Sequence, residues 1–302
     1  MKYGIREICD VVLKAKARMK VGNKIFYKDE PVIYFDSLKT SSLEGAATTV
    51  YAQGGRGNAR LLAWEGERTV TFTMEDALIS QVGLAILTGA DVIAAEKQPI
   101  IVHCTETLRV TDTGIELKNV PYADPKKTDE NFIYVMKLDA QGNVASEPYL
   151  YVQDADKQIK LKENGYTADN EAPKDGDLVL VDYYTKKDSG ATQIEITPDK
   201  FGGNFYLEAS TLFRDTNGVD MPAEFIIPNC KVQSNFTFTM ASSGDPSTFT
   251  FTMDAFPDYT RFGDKKVLSV IQIVEDASND LYHRVATDAD ESYANGSDVI
   301  NP

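Results

Sequence analysis

The chain has 302 residues, with 46 acidic side chains against 31 basic ones, a formal charge of −15 and a sequence pI near 4.6. A surface of that sign repels phosphates, which argues against a protein that grips nucleic acid but not against one past which a nucleic acid must slide. No apolar run approaches the roughly 18 residues of a membrane-spanning helix. The three cysteines, Cys9, Cys104 and Cys230, cannot all pair within the chain, which fits thiols kept in a reducing compartment.

The first twenty residues, MKYGIREICDVVLKAKARMK, lack the uninterrupted apolar core of a signal peptide, so synthesis in the cytoplasm and no membrane insertion are expected. Ile5 to Leu13 is apolar but of no clear type. Val21–Tyr27 and Val32–Phe35 read as strands joined by the turn Lys28-Asp29-Glu30-Pro31. Ser37–Gly45 is polar and ends on glycine, as an exposed excursion would. The β-prone Ala47–Ala52 then runs into Gly54-Gly55-Arg56-Gly57-Asn58. That glycine run lacks the Gly-Lys-Ser/Thr ending of a phosphate loop and opens no helix. It is expected to be a turn of positive φ lying close to another backbone.

Thr69–Met74 alternates Thr-Val-Thr-Phe-Thr-Met, the period of a strand with one buried face. A helix is expected next. Thr73 and Asp76 form a weak capping box, Glu75 and Asp76 occupy the first turn, and Leu78, Ile79, Val82, Leu84, Ala85, Ile86 and Leu87 form the apolar body. Gly89 closes it. This helix is the strongest in the sequence, and the remainder reads as strands arranged around it. Ile100–Val110 alternates again.

Composition shifts near Thr111. From 111 to 199 the chain is rich in Asp, Lys, Gly and Pro, with short strands at Phe132–Leu138, Tyr149–Val152, Gln158–Leu161, Leu178–Tyr184 and Gln193–Ile196. Their spacing suits a small inserted β domain, leaving 1–110 and 200–302 as the two parts of one core. In the second part, Asn204–Phe213, Ala223–Ile227, Val232–Met240, Thr248–Met253 and Val267–Val274 read as strands. Val232–Met240 and Thr248–Met253 would form a hairpin. The tetrad Thr-Phe-Thr-Met recurs at Thr71–Met74, Thr237–Met240 and Thr250–Met253, which places self-similar strands in one sheet or reflects β patterning alone. Residues 276–302 are acidic and loop-like.

No catalytic constellation emerges, and no enzyme activity, metal or cofactor is expected. Of the two histidines, His103 abuts Cys104 but has no further ligand at metal spacing. Asp154-Ala-Asp156 and Asp288-Ala-Asp290 begin like calcium loops and then lack the required glycine and glutamate. Trp64, Tyr149 and Tyr151 are the aromatics a carbohydrate-binding or adhesion module would use.

Two stretches carry a resemblance. Leu38–Gly89, with TSSLEGAATTVYAQGGRGNARLLAWEGERTVTFTMEDALIS, and the later segment FGGNFYLEASTLFRD with MPAEFIIPNCKVQSNFTFTMASSGDPSTFTFTMDAF resemble the tail tube (major tail) proteins of long-tailed bacteriophages. The resemblance implies a mainly β fold: a β-sandwich or barrel core with one flanking helix, here carrying the inserted β domain. It implies a virion protein whose hexameric rings stack into a hollow tube, a fold also used by bacterial secretion-system tubes. Its partners would be other copies of itself, with the tape measure protein and double-stranded DNA in the lumen, bound without sequence specificity. A sheath outside is left open. A capsid decoration or baseplate subunit is the alternative within a virion.

A tube that passes DNA needs an acidic bore. Candidate lumen acids are Glu65 and Glu67 first, then Glu208 and Asp254, with Asp36 and Glu44. Assembly is expected to run by strand pairing across subunits through Thr69, Phe72 and Met74, and through Phe236, Phe238, Phe249 and Phe251 of the later hairpin. Arg56 would serve as an ion-pair partner.

Overall fold

The computed structural model describes residues 2–5, 7–126, 133–161, 172–237 and 248–275. The chain divides into two compact units, one of residues 1–91 with 195–302 and the other of residues 92–194. In chain order the first unit contributes β1 (Tyr3–Ile5), β2 (Asp10–Ala15), β3 (Met19–Val21), β4 (Lys24–Phe26), β5 (Pro31–Phe35), β6 (Leu38–Gly54), β7 (Ala59–Asp76) and α1 (Gln81–Thr88). Then follow β8 (Asp91–Ala94), β9 (Ile100–Arg109), β10 (Ile115–Glu116), β11 (Ile133–Lys137), β12 (Tyr149–Ala155), β13 (Gln158–Leu161), β14 (Leu178–Lys187) and β15 (Thr192–Glu195). The first unit is completed by β16 (Asn204–Asp215), β17 (Asp220–Val232), β18 (Phe249–Ala255), β19 (Asp258–Tyr259), β20 (Lys266–Val267) and β21 (Val270–Ile273). The fold is mainly β with a single helix among the described residues.

The first unit is built on a nine-stranded sheet in the order β5-β2-β16-β17-β18-β7-β6, with β1 joined to β16 and β21 to β17. Alternation drives it. Val11, Leu13, Phe205, Leu207, Phe72, Met74, Phe251 and Met253 point to one side and are buried, while Lys14 and Glu208 on the other side pair with each other. The two described Thr-Phe-Thr-Met tetrads lie side by side and antiparallel, Met74 opposite Phe251 and Phe72 opposite Met253. Each buried ring thus faces a thioether, and Phe35 meets Phe251 edge-on at 5.0 Å. Cys230 is buried at the same level, and its burial pushes the thiol up to about 12, so it stays protonated and inert.

Three expectations change here. The helix begins at Gln81, not before Leu78: Ser80 is its N-cap, accepting from the Gly83 amide at 2.9 Å. Glu75 and Asp76 belong to β7, because pairing with Thr250 and Phe249 holds them in the sheet. The helix does end on Gly89 in the left-handed conformation, and it buries Ile86 and Leu87. Secondly, Ser37–Gly45 is no excursion but enters β6, bonded to β7 over almost its whole length. Thirdly, Gln233–Thr237 is not strand: β17 ends at Val232 and pairs with β18 only through Cys230–Val232. The third tetrad, with Phe238, lies largely outside the described residues.

The second unit is a six-stranded antiparallel sheet, β10-β13-β12-β11-β14-β9, with β8 and β15 paired in a separate ribbon. Thr111, where the composition shifts, falls inside this unit, since Ile100–Arg109 pairs residue by residue with Leu178–Lys187. The unit has its own core, including Val110, Ile133, Val135, Tyr149, Tyr151, Val179, Val181 and Tyr183. At its margin the buried Glu106 accepts from the Lys118 amide at 3.1 Å and from the Tyr183 hydroxyl. Asn119 donates to that hydroxyl at 3.3 Å and accepts from Lys187 at 3.0 Å, so every member of this polar cluster has a partner. Burial, then Glu106, pushes Tyr183 up to about 12.

Candidate assembly surface

The β6–β7 hairpin changes character along its length. At its base, Thr71–Asp76 of β7 is bonded to β6 on one side and to β18 on the other. Among the described residues, β7 from Val70 down to Ala59 keeps β6 as its one partner, and β6 is the last strand of the sheet. A two-stranded arm therefore leaves the sheet with a row of unpaired amides and carbonyls along each edge. An isolated ribbon of that kind is marginal in water, and free edges are templates for further strands.

A bulge interrupts the arm a few residues from its base. Thr48 faces both Gly66 and Glu67, because the register shifts between Ala47 and Thr49, and its hydroxyl accepts from the Glu67 amide at 2.9 Å. Any Cβ at residue 66 would stand 2.5 Å from that hydroxyl oxygen, so a larger residue would have to displace the Thr48 side chain from its bond to the Glu67 amide. At the tip Gly55, Gly57 and Asn58 all take positive φ, and the Asn58 amide returns to the Gly55 carbonyl at 3.2 Å. The positive φ is as expected. The close neighbour is not, since a Cβ at Gly55 or Gly57 would meet nothing within 4 Å. This loop is an open tip, and Arg56 stands on it.

The arm's side chains are apolar where water should make them polar. Val50 lies opposite Trp64 and Ala52 opposite Leu62, and the relative exposures of Val50, Leu61, Leu62 and Trp64 are 62%, 64%, 60% and 54%. Arg60 stacks its guanidinium 4.0 Å from the ring centre of Tyr51, holding the other face flat. Exposed apolar side chains clustered on a strand pair with free edges mark an interaction surface.

The residues singled out from the sequence fall into distinct places. Phe72, Met74 and Phe251 are buried in the subunit's own core, and the backbone around them is paired within the chain. Thr69 lies on the arm side of that boundary with its outer edge open. Phe249 is half-buried at the start of β18, and Phe236 is partly exposed. Glu65 and Glu67 are exposed on the arm, both within β7. Glu208 is tied to Lys14. Asp254 accepts two bonds from Gln233, at 3.0 and 3.1 Å, and a longer one from Thr71. Asp36 and Glu44 are exposed. Sequence reasoning misses the arm's apolar stripe; its trace is the run Ala59–Trp64, where three large apolar residues interrupt the polar alternation.

Tyr149 and Tyr151 are buried in the second unit, at 3% and 6% exposure, and so offer no stacking face to a sugar. Among the described residues no group of three His, Cys, Asp or Glu side chains could hold a metal. No helix among them is long and apolar enough to cross a membrane.

No curated protein matches the chain. A family model does, over residues 19–268, a span that takes in the arm, strands β5–β7 and β16–β18 of the nine-stranded sheet, and the second unit: the chain belongs to the YomU/Tube protein family.

Proposed function

We propose that the chain is the tail tube subunit of a long-tailed bacteriophage, whose hexameric rings stack into a hollow tube that conducts the genome. The observation that carries this reading is the β6–β7 arm: a long strand pair with open edges and exposed Val50, Leu62 and Trp64, in a chain of a family named for a tube. Each free edge of the arm accepts a strand of a neighbouring copy, and the apolar stripe is buried as it does so. The other edge of the same sheet, β5, is equally open among the described residues, so a subunit offers one edge at each side, as a closed ring of identical copies requires. Residues Phe72, Met74 and Phe251 anchor the arm from within, while Thr69 and the residues toward Arg56 make the contact.

In this reading the bore is lined by acids, so that DNA and the tape measure protein slide without sticking. Glu65 and Glu67 contribute most to that field, since Glu208 is neutralised by Lys14 and Asp254 is engaged by Gln233. Electron microscopy of the purified protein tests the proposal. Rings or tubes with a central channel are expected. A protein that stays monomeric at high concentration, with its arm intact, would overturn it.

A further inference from the structure

In this acidic chain one hairpin is conspicuously basic. From Lys14 to Lys28 stand six basic residues and no acid. Lys14, Lys16 and Lys20 are paired with Glu208, Asp258 and Asp91. Arg18, Lys24 and Lys28 are exposed and have no ion-pair partner among the described residues. They surround the β3–β4 hairpin, whose Ile25 and the following Tyr27 are 50% and 58% exposed.

The topology fixes where this hairpin lies. It leaves the sheet after Ala15, which pairs with Phe205 at the start of β16, and rejoins it at Asp29, whose amide bonds to the Ala15 carbonyl at 2.8 Å. The far end of β16 carries the opposite charge. There Tyr3 pairs with Asp215 and Arg214 with Asp220. Glu7 lies nearby, and Glu275 accepts from the Tyr3 hydroxyl at 3.0 Å. Among the described residues, four acids thus stand against Lys2 and Arg214. Tyr3, Ile5 and Leu212 line a shallow recess between these charges. The Asp215 carboxyl is held below its ordinary value, first by the Val219 amide, so it remains ionised.

We propose that the basic β3–β4 hairpin of one copy docks into the acidic recess at the β1/β16–β17 end of the next copy, and that this contact stacks the rings. The partner is a second copy because both complementary surfaces lie on one chain, at opposite ends of the same sheet. A contact between two different patches of identical subunits is heterologous, and where it joins copies along an axis without closing on itself it repeats from one ring to the next, as a stack requires. Arg18, Lys24 and Lys28 face Glu7, Asp215 and Glu275, while Ile25 and Tyr27 cover the apolar floor. Such rim charges govern association rate, register and salt dependence.

The inference rests on the tube reading, and the experiment separates the two. Wild-type tubes are expected to shorten toward single rings as salt rises. Arg18→Glu/Lys24→Glu/Lys28→Glu should leave rings and the melting temperature intact yet cut mean tube length about tenfold, as should Glu7→Lys/Glu275→Lys. Combining all five reversals restores opposite charges across the contact and should recover length. The milder Lys24→Gln/Lys28→Gln should shorten tubes partly without touching the fold. Reversals that leave tube length unchanged, in a wild type that does form tubes, would overturn this contact alone. A wild type that forms neither rings nor tubes would remove both readings. Duplex DNA binding that disappears in the triple reversal while tube length holds would assign the hairpin to nucleic acid instead, and overturn the proposal.

Discussion

The base and the arm of the β6–β7 hairpin are cut from the same two strands, yet they do opposite things. At the base, burial alternates strictly through Thr71–Asp76, and Phe72 and Met74 are sealed in the core. Along the arm, Ala59–Thr69 is exposed on both faces although Leu61, Leu62 and Trp64 are as apolar as the residues below. What differs is the neighbour. β18 covers the base and stops before the arm, so the same kind of strand is core in one place and surface in the other. Strand identity is set locally by alternation, whereas a strand's role is set by what lies beside it.

Breaking the base should produce the largest effect. Phe251→Ala empties a site that touches Phe35 and faces Met74, and a loss of about 3–5 kcal/mol in unfolding free energy is expected, read by denaturant titration. Assembly should fall only because the subunit does. The arm should respond in the reverse manner. Leu62→Ser/Trp64→Ser removes exposed side chains and should change subunit stability by less than about 0.5 kcal/mol, while abolishing ring formation in sedimentation and micrographs. A double substitution that unfolds the subunit, or one that leaves rings unchanged, would erase the distinction between the two halves.

That distinction is only half legible in the sequence. Thr69–Met74 announces a strand because Phe72 and Met74 alternate with threonine, and the buried side is readable from that alone. Ser37–Gly45 does not read as strand, since the half-buried face it lays against Phe72 and Met74 carries Ser41 as well as Leu43, so polarity does not alternate with burial. The helix start is misplaced because Glu75 and Asp76 suit a first turn electrostatically; pairing with β18 overrides that preference, and Ser80 takes the cap. The glycine loop shows its positive φ but not its openness, which depends on neighbours a sequence does not display. The basic hairpin is visible as charge in the residues from Lys14 to Lys28, yet its position opposite an acidic end follows only from strand order.

A subtler probe leaves both halves folded and assembled. Glu65→Lys/Glu67→Lys reverses two exposed acids on the arm, either side of the bulge at Gly66, where no packing is disturbed. Stability and ring formation are expected to persist. If the proposed tube forms, it should then acquire affinity for duplex DNA that falls with salt, with a slope of nearly one for each phosphate engaged. Tubes whose DNA binding stays at background after reversal would show that the field in the bore is set elsewhere.

The smallest effect belongs to the side of the sheet opposite the core, where Lys14, Glu208 and Glu224 gather. Burial raises the Glu224 carboxyl above its ordinary value, the neighbouring Glu208 charge raises it further, and Lys14 opposes both. A carboxyl whose folded value lies above its unfolded one binds its proton more tightly in the native state. Its ionisation therefore costs stability, with no cost below the ordinary glutamate range and the full cost above the raised folded value. Glu224→Gln removes the charge and should stabilise the subunit at pH 7, by less than about 1 kcal/mol because the group is only half-buried. The gain should vanish as pH falls through the ordinary glutamate range, where the native carboxyl is already neutral. Melting curves of both proteins at neutral and acidic pH measure this directly. A gain that is the same at both would mean that the substituted amide improves packing, and that the charge on Glu224 carries no penalty.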